Sequence, residues 1–437
     1  MFMCGGWLLE LCEHLPSHMK SNILIGLIDC NNFFVSCERI FRPDLENVPT
    51  LVLSSNDGCV VARSQEVKDI GIPMGIPYFK VKDIVKDKGI AVFSGNLTLY
   101  RDISRRVFDI AREEFSEVEQ YSIDEAFFTL PEKELSEARL LAMRKRIYCE
   151  VGVLVSVGVG YSKTIAKMAT DEAKKQSGVH IFLQDSFLTK NANTPLSKVW
   201  GVGRNMNVAL QGVGLQTIND LICAEPALLR QVYGVVAARL QAELRGSYVN
   251  QVCPKRPLQR SVMSSKSFNK TTNNMTILED ALAHHVRHIA ADLRSMQSVA
   301  SVIRVSLGTS RHGDYFMRGG SQEAGLGEGS DDTFVLMRAA HDLLRELYEP
   351  GVLYQKVGVT VSGIRLAGSM SHNLFEEAGS AANGELLAIV DGLNKKGNRE
   401  LISIGTRLRS EAWQAKSAKR SPACTTQWSD LITVSAR

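Results

Sequence analysis

The sequence predicts a multidomain α+β protein, and three observations lead there. The chain has 437 residues, three to four times what a typical single core organises, so several domains are expected. Short apolar runs of strand length alternate with longer segments whose apolar residues recur at helical spacing. Charge is also unevenly spread. Met1 to Gln251 carries 28 basic and 29 acidic residues, net −1, whereas Val252 to Arg318 carries 10 basic and 4 acidic, net +6. The overall balance of +4 therefore conceals one basic block, which suits a polyanionic partner such as nucleic acid and equally suits a solvated surface. No apolar run approaches the length of a membrane span, which excludes a helical membrane protein.

The elements follow in order. Residues 1–21 read as an extension outside the fold: their apolar first half lacks a leading basic region and is followed by Glu13, unlike a secretory signal. Ile23 to Ile28 is short and continuously apolar, as in a strand buried on both faces, and it ends on Asp29. Next come a strand at Thr50 to Leu53, the turn signal SSNDG, and a helix-like run through Lys68 that stops at Gly71-Ile72-Pro73. Leu99 to Phe115 has helical period, Val118 to Leu130 reads as a strand pair, and Leu154 to Gly160 reads as a valine-rich strand. A helix over Ser162 to Lys175 has Ser162 as its N-cap. From Pro195 the chain turns into helical pieces punctuated by glycine, ending at a boundary around Pro254 and Pro257. Beyond it, helix Ile277 to Leu293, strand Val299 to Leu307, helix Thr333 to Tyr348 and strand Lys356 to Gly363 make a smaller α+β unit. The nine cysteines are scattered and odd in number, so neither a zinc site nor a disulfide framework is expected, and the chain reads as a reduced cytoplasmic protein.

Chemistry concentrates in YSIDEAFF. Asp124 and Glu125 are adjacent, so on a regular strand they point to opposite faces and serve one site only at a bend. A hairpin corner there would bring them to Asp29 at the end of the neighbouring strand. Three carboxylates around one point repel unless divalent cations occupy it, and hard oxygen ligands select magnesium. Two such ions about 3.5–4 Å apart are the common device for in-line attack at phosphorus. Taken alone, these residues fit better a strand-ending turn at Asp124 and Glu125 with Asp29 as a helix cap.

The motifs around them are more specific. DCNNFF at Asp29 to Phe34 and SIDEAF at Ser122 to Phe127 resemble the two signatures of the Y-family, or translesion, DNA polymerases, in order and about 90 residues apart. CERIFRPDL, NDGCVVARS and EQYSIDEAF are similar to the UmuC-type catalytic subunits of bacterial DNA polymerase V, and the resemblance runs from about Ile23 to the C-terminus. It implies a right-hand fold: palm at 22–40 and 97–190, fingers at 41–96, helical thumb at 191–253, little finger at 258–366 and a partner-binding tail at 367–437. It implies two magnesium ions on Asp29, Asp124 and Glu125 with the Cys30 carbonyl, and attack of a primer 3′-hydroxyl on the α-phosphate of a deoxynucleoside triphosphate.

A triphosphate needs fixed cations as well. Lys163, Lys167 and Lys174 fall within about 40° of one another on a helix, a stripe that also fits a solvated face. The resemblance singles out Lys174 among them, and Lys68 in the inserted subdomain. Arg63 and Lys68, five apart on an ideal helix, would diverge by about 140°. Phe33 and Phe34 belong to the nucleotide pocket in this reading, with Phe34 at the steric gate that excludes a ribose 2′-hydroxyl. A pair of core phenylalanines is the alternative.

VWGVGRNMNVALQGVG resembles a helix-hairpin-helix, in which Gly201 and Gly203 present backbone N–H groups to a phosphate. In the basic block Lys266, Lys270, Arg304 and Arg311 are candidates for the duplex backbone, with helix Thr333 to Tyr348 covering the other face of the sheet. Ser371 to Phe375 is similar to the UmuC-type sliding-clamp peptide, with Leu374 and Phe375 as anchors and Ser371 where the family prefers glutamine. Trp413 to Leu431 resembles the UmuC-type C-terminus, which implies a processed UmuD-type dimer and a RecA filament as partners, in a bacterial cytoplasm and away from membranes. Two other readings stay open at this stage: another palm-type phosphoryl transferase such as a nucleotide cyclase, and a DNA-binding scaffold with a decayed site.

Overall fold

The computed structural model describes residues 23–54, 56–255, 257–310, 319–369, 381–396, 401–406 and 417–431. The expected extension at 1–21, Arg311, and the clamp-peptide residues Leu374 and Phe375 lie outside them. The chain forms two compact units, Met1–Arg256 with Ser417–Arg437, and Pro257–Lys416.

In the first unit β1 (Ile23–Cys30) is followed by α1 (Phe33–Ile40) and then by a small inserted layer. That layer holds β2 (Thr50–Leu53), β3 (Val60–Arg63), α2 (Gln65–Asp69), α3 (Lys82–Asp87) and β4 (Ala91–Ser94), its strands in the order β3-β2-β4. Arg63 therefore ends a strand and only Lys68 is helical, which corrects the continuous helix expected there. The chain returns through α4 (Leu97–Glu114), β5 (Val118–Gln120), β6 (Glu125–Pro131), α5 (Glu137–Val151), β7 (Val155–Gly160), α6 (Lys163–Ala173) and β8 (Val179–Ile181). These strands build a mixed sheet ordered β5-β6-β1-β7-β8, with β1 antiparallel to both neighbours and β7 parallel to β8.

β1 is buried on both faces, as its unbroken apolar run requires. Leu24 and Ile28 pack with Leu99, Ile103, Leu140 and Ile147 of α4 and α5, while Ile25 and Leu27 pack with Phe127 and with Ala166 of α6. Each contributes on the order of 2 kcal/mol of apolar burial. Two glycines make room for close neighbours. A Cβ on Gly26 would lie 2.0 Å from the Phe128 ring, and one on Gly158 would lie 2.1 Å from the Thr170 backbone nitrogen. The bare backbone at Gly158 thus lets α6 press directly onto β7. Ser162 caps α6, its hydroxyl accepting from the Ile165 amide at 3.3 Å, as the sequence predicts.

Four further helices complete this unit: α7 (Gln184–Asn191), α8 (Arg204–Gly212), α9 (Ile218–Cys223) and α10 (Pro226–Leu244), the last kinked at Gly234. The second unit is an antiparallel sheet of β9 (Ser261–Thr272), β10 (Ser298–Thr309), β11 (Gly319–Ser330) and β12 (Tyr354–Leu366), in the order β11-β10-β12-β9. Helices α11 (Met275–Ser295) and α12 (Thr333–Leu347) share one core with it, through Val286, Ile289, Leu336, Ile303 and Val359. The tail differs from the single partner-binding segment expected at 367–437. Helix α13 (Ala381–Lys396) is part of the second unit, and residues 417–431 pack on the first.

Candidate active site

The bend that the carboxylates require is present. β6 starts at Glu125, and Glu125 lies directly across from Asp29 in the β1–β6 register. Asp124 sits in the preceding turn, where its carbonyl accepts from the Cys30 amide at 2.9 Å and locks the corner to the end of β1. Ser122 shapes this turn: its hydroxyl accepts from the amides of Asp124 and Glu125 at 3.1 and 3.0 Å and donates to the Asp124 carboxylate at 2.5 Å. Asp29 is only 5% exposed. Burial pushes the Cys30 thiol well above its ordinary value, with Cys37 and the nearby carboxylates adding to the effect, so only its backbone bears on the site.

The lysine stripe of α6 supplies the counter-charge, made possible by the close approach at Gly158. Lys174 donates to Asp29 at 2.8 Å, and Lys167 bridges Asp29, at 3.3 Å, and Glu125. Burial raises the Glu125 carboxyl and Asp29 adds to this, against the opposing pull of Lys167. Burial lowers Lys167 in turn, but the two carboxylates outweigh it and the net shift is upward. Lys163 leaves the stripe: it is buried, bonded to Glu119 at 2.6 Å, and lies over the Phe127 ring.

Among the described residues no three His, Cys, Asp or Glu side chains gather closely enough to hold a metal ion. Asp29 and Glu125 meet, bound by ammonium groups, while the Asp124 carboxylate is held by Ser122. The donor set still fits a hard divalent cation, being all oxygen, buried at Asp29 and demanding enough of positive charge to draw in two lysines.

The inserted layer faces the same corner. Lys68 donates to Asn32 at 2.7 Å, and Asn32 has a left-handed backbone, φ 48°, at the β1–α1 turn. Burial lowers the Lys68 ammonium, and the nearby charges of Arg63 and Lys174 lower it further. Arg63 ends β3 and its guanidinium donates to the Ile72 carbonyl, so the divergence expected on an ideal helix does not apply. Phe33 is 4% exposed within the main core, which corrects its expected place in the nucleotide pocket. Phe34 is only partly buried and stacks on Tyr100 with centroids 4.5 Å apart.

Gly201, at φ 92°, and Gly203, the residue before α8, form an exposed turn with nothing within 4 Å of either Cβ position. Trp200 beside them packs on Tyr121 and Phe127, anchoring the turn to the carboxylate-bearing sheet. In the second unit the candidates separate. Arg304 points from the open face of the sheet and pairs with Glu323 at 2.5 Å. Lys266 lies opposite the fully buried Val357, hence on the helix-covered face, and burial lowers its ammonium; this corrects its expected role on an open surface. Lys270 is exposed near the end of β9. Lys356, which sequence reasoning passed over, is exposed on β12 next to Val357, its alternation placing it on the open face with Arg304.

The profile of the impB/mucB/samB family matches residues 28–171, that of its C-terminal domain matches 259–374, and a domain of unknown function, DUF4113, matches 385–434. Protein MucB of Salmonella typhimurium is 32% identical over 420 residues, covering 93% of this chain and 99% of the relative. Protein UmuC of the same species is also 32% identical, covering 94% and 100%. DNA polymerase IV of Corynebacterium diphtheriae is 29% identical over 77% of this chain and 74% of its own. A solved Y-family DNA polymerase chimera superposes with a TM-score of 0.66 at 19% identity, covering 78% of this chain and 99% of the chimera. No helix among the described residues is long and apolar enough to cross a membrane. With the signature carboxylates facing one another across β1 and β6 and relatives matching almost end to end, the chain belongs to the Y-family DNA polymerases, in the branch of UmuC, MucB, ImpB and SamB.

Proposed function

We propose that this Y-family translesion polymerase of the UmuC and MucB type adds deoxynucleotides to a primer 3′-hydroxyl opposite damaged template during the SOS response, with Asp29, Asp124 and Glu125 as its catalytic carboxylates. The observation that carries the reading is the pairing of Asp29 with Glu125 across two strands, with Lys174 bonded to Asp29 and the Arg63 and Lys68 charges close by.

Asp29, Asp124, Glu125 and the Cys30 carbonyl would hold two magnesium ions. Bound there, the ions would supply positive charge that lowers the pKa of an attacking hydroxyl and offsets charge on a leaving pyrophosphate. The protein's own groups do the rest. Lys174, Lys68 and Arg63 bind and orient the triphosphate, whose negative charge replaces the Asp29 carboxylate as the partner of Lys174. Ser122 holds Asp124 ready at the corner. The Phe34 ring lies against the sugar and excludes a 2′-hydroxyl by contact.

The first unit supplies palm, fingers and thumb in this reading, with the Gly201–Gly203 turn on a duplex phosphate. The second supplies the little finger, gripping the backbone through the open face of its sheet with Arg304 and Lys356, and with Lys270 exposed near the end of β9. A sliding clamp at Leu374 and Phe375, a processed UmuD-type dimer and a RecA filament are its protein partners, in the bacterial cytoplasm; the resemblance of the tail supports these.

Primer extension past an abasic site tests the reading, with and without the accessory proteins. Magnesium-dependent elongation by the unaltered chain and its loss in Asp124→Ala are expected. No elongation under any of these conditions would leave a DNA-binding scaffold as the better account.

A further inference from the structure

We propose that the end of the chain positions the Phe34 gate, through a buried relay running from Ser421 to Glu38 to Tyr100 to Phe34. This rests on the reading of Phe34 as the sugar gate and assigns a task to part of the segment matched only as a domain of unknown function.

Residues 417–431 are held on the first unit like an added strand. The Ser94 amide donates to the Lys419 carbonyl at 3.0 Å, and the Lys419 amide donates to the Ser94 hydroxyl at 3.0 Å. The chain thereby extends the three-stranded sheet beyond β4, with Arg420 as the bridge partner of Ser94. Asn96, fully buried at the N-cap of α4, is shared between helix and strap. Its side-chain oxygen accepts from the Leu99 amide and from Arg420, and its amide group donates to the Ser421 hydroxyl at 3.0 Å. Cys424, 7% exposed, closes the strap over this surface.

Ser421 reaches the centre of the relay. Its hydroxyl donates to Glu38 Oε1 at 3.1 Å, the same oxygen that accepts from the Tyr100 hydroxyl at 2.6 Å. Glu38 is 1% exposed and Tyr100 fully buried, so neither group has water as a substitute partner. A buried carboxyl that loses one of two donors must relax toward the other or take up a proton, and either change acts on the Tyr100 hydroxyl. The ring of Tyr100 is the platform on which Phe34 is stacked, 4.5 Å away and within 16° of parallel. The strap thus bears on the gate through three side chains with discrete hydrogen bonds, while touching neither the carboxylates nor the lysines of the reacting centre. Ser421 is a positioning residue in this account.

The test uses the full-length chain and reads the ratio of ribonucleotide to deoxynucleotide kcat/KM in single-nucleotide primer extension. Ser421→Ala should raise that ratio about three- to ten-fold, the range spanned by one lost hydrogen bond to a buried group. The kcat for deoxynucleotides should stay near that of the unaltered chain, and Ser421→Thr should restore the ratio. Tyr100→Phe, which keeps the ring and removes the hydroxyl, should act in the same direction. Once the gate is gone in Phe34→Ala, adding Ser421→Ala should change nothing further. An unaltered ratio in Ser421→Ala, or an equal change with and without Phe34, would overturn the relay. If Phe34→Ala raises the ratio while Ser421→Ala does not, the gate stands and only the relay fails. No change in Phe34→Ala would instead remove the gate reading beneath it.

Discussion

The two larger sheets of the molecule handle charge in opposite ways. The sheet around β1 is covered on both faces, and its charges sit at one corner where Asp29, Glu125, Lys167 and Lys174 are paired position by position under limited solvent. Among the described residues the sheet around β10 is covered on one face, by α11 and α12, and charges such as Arg304 with Glu323 are exposed on the other. Coulomb interactions strengthen where water is excluded and are screened within about 10 Å where it is not. The first arrangement therefore suits recognition of one small, highly charged substrate. The second suits a summed, sequence-independent hold on a polyanion.

Substitutions can sharpen or break this contrast. In the first region Lys174→Ala should lower kcat/KM for deoxynucleotide incorporation by about 10- to 100-fold, because it deletes a charge-assisted bond to the buried Asp29 carboxylate. The loss should depend little on salt. Steady-state primer extension at two ionic strengths checks both points, and a large salt dependence would make the corner resemble the open face. In the second region Arg304→Ala and Lys356→Ala should each cost about 1 kcal/mol or less in DNA affinity and reduce the salt slope of binding by about 1. Fluorescence anisotropy with labelled duplex from low to moderate salt reads this, and Lys266→Ala, turned to the helix-covered face, should leave the slope unchanged. The smallest effect is expected at Glu172, on the exposed side of α6, where Lys175 and Lys190 bond its carboxylate at 2.7 Å and hold it at about 2, below its ordinary 4.5. The unfolded chain takes up this proton first as pH falls, so the stabilisation is present above about pH 4.5 and is lost toward pH 2. Glu172→Gln should flatten that part of the acid unfolding curve slightly, and no difference between the two curves would show that solvent screens the pair completely.

The same contrast explains what could be read from the sequence. Buried elements announce themselves. β1 is an unbroken apolar run, α6 opens at a serine cap, and the adjacency of Asp124 and Glu125 demands the bend that is found. The lysine stripe is visible in helical period, although periodicity alone does not say that Lys163 turns to Glu119 while Lys167 and Lys174 turn to the carboxylates. Half-open elements are harder to read. β11, with sequence GGSQEAGLGEGS, contains five glycines and no apolar alternation, and it is a strand because β10 supplies its hydrogen bonds. β9 is an edge strand rich in serine for the same reason, so the facing of Lys266 is a matter of register that composition does not record. β3 is four residues long and lies next to a five-residue helix, too short for either period to show. The docking of residues 417–431 on Ser94, Asn96 and Glu38 joins positions more than 300 apart, a pairing no local pattern encodes.

The central claim is that the Asp29 corner is the reacting centre and needs its negative charge. Single-turnover incorporation of one deoxynucleotide on an undamaged primer-template, measured across a magnesium titration for the unaltered chain and for Asp29→Asn, tests it most directly. The substitution keeps size and hydrogen-bonding oxygen while removing the charge. The account predicts a fall of about 10³-fold or more at every magnesium concentration, with DNA affinity essentially unchanged. Retention of more than about a tenth of the rate would contradict it, since a group that holds the catalytic cations contributes far more than the ten-fold that 1.4 kcal/mol represents.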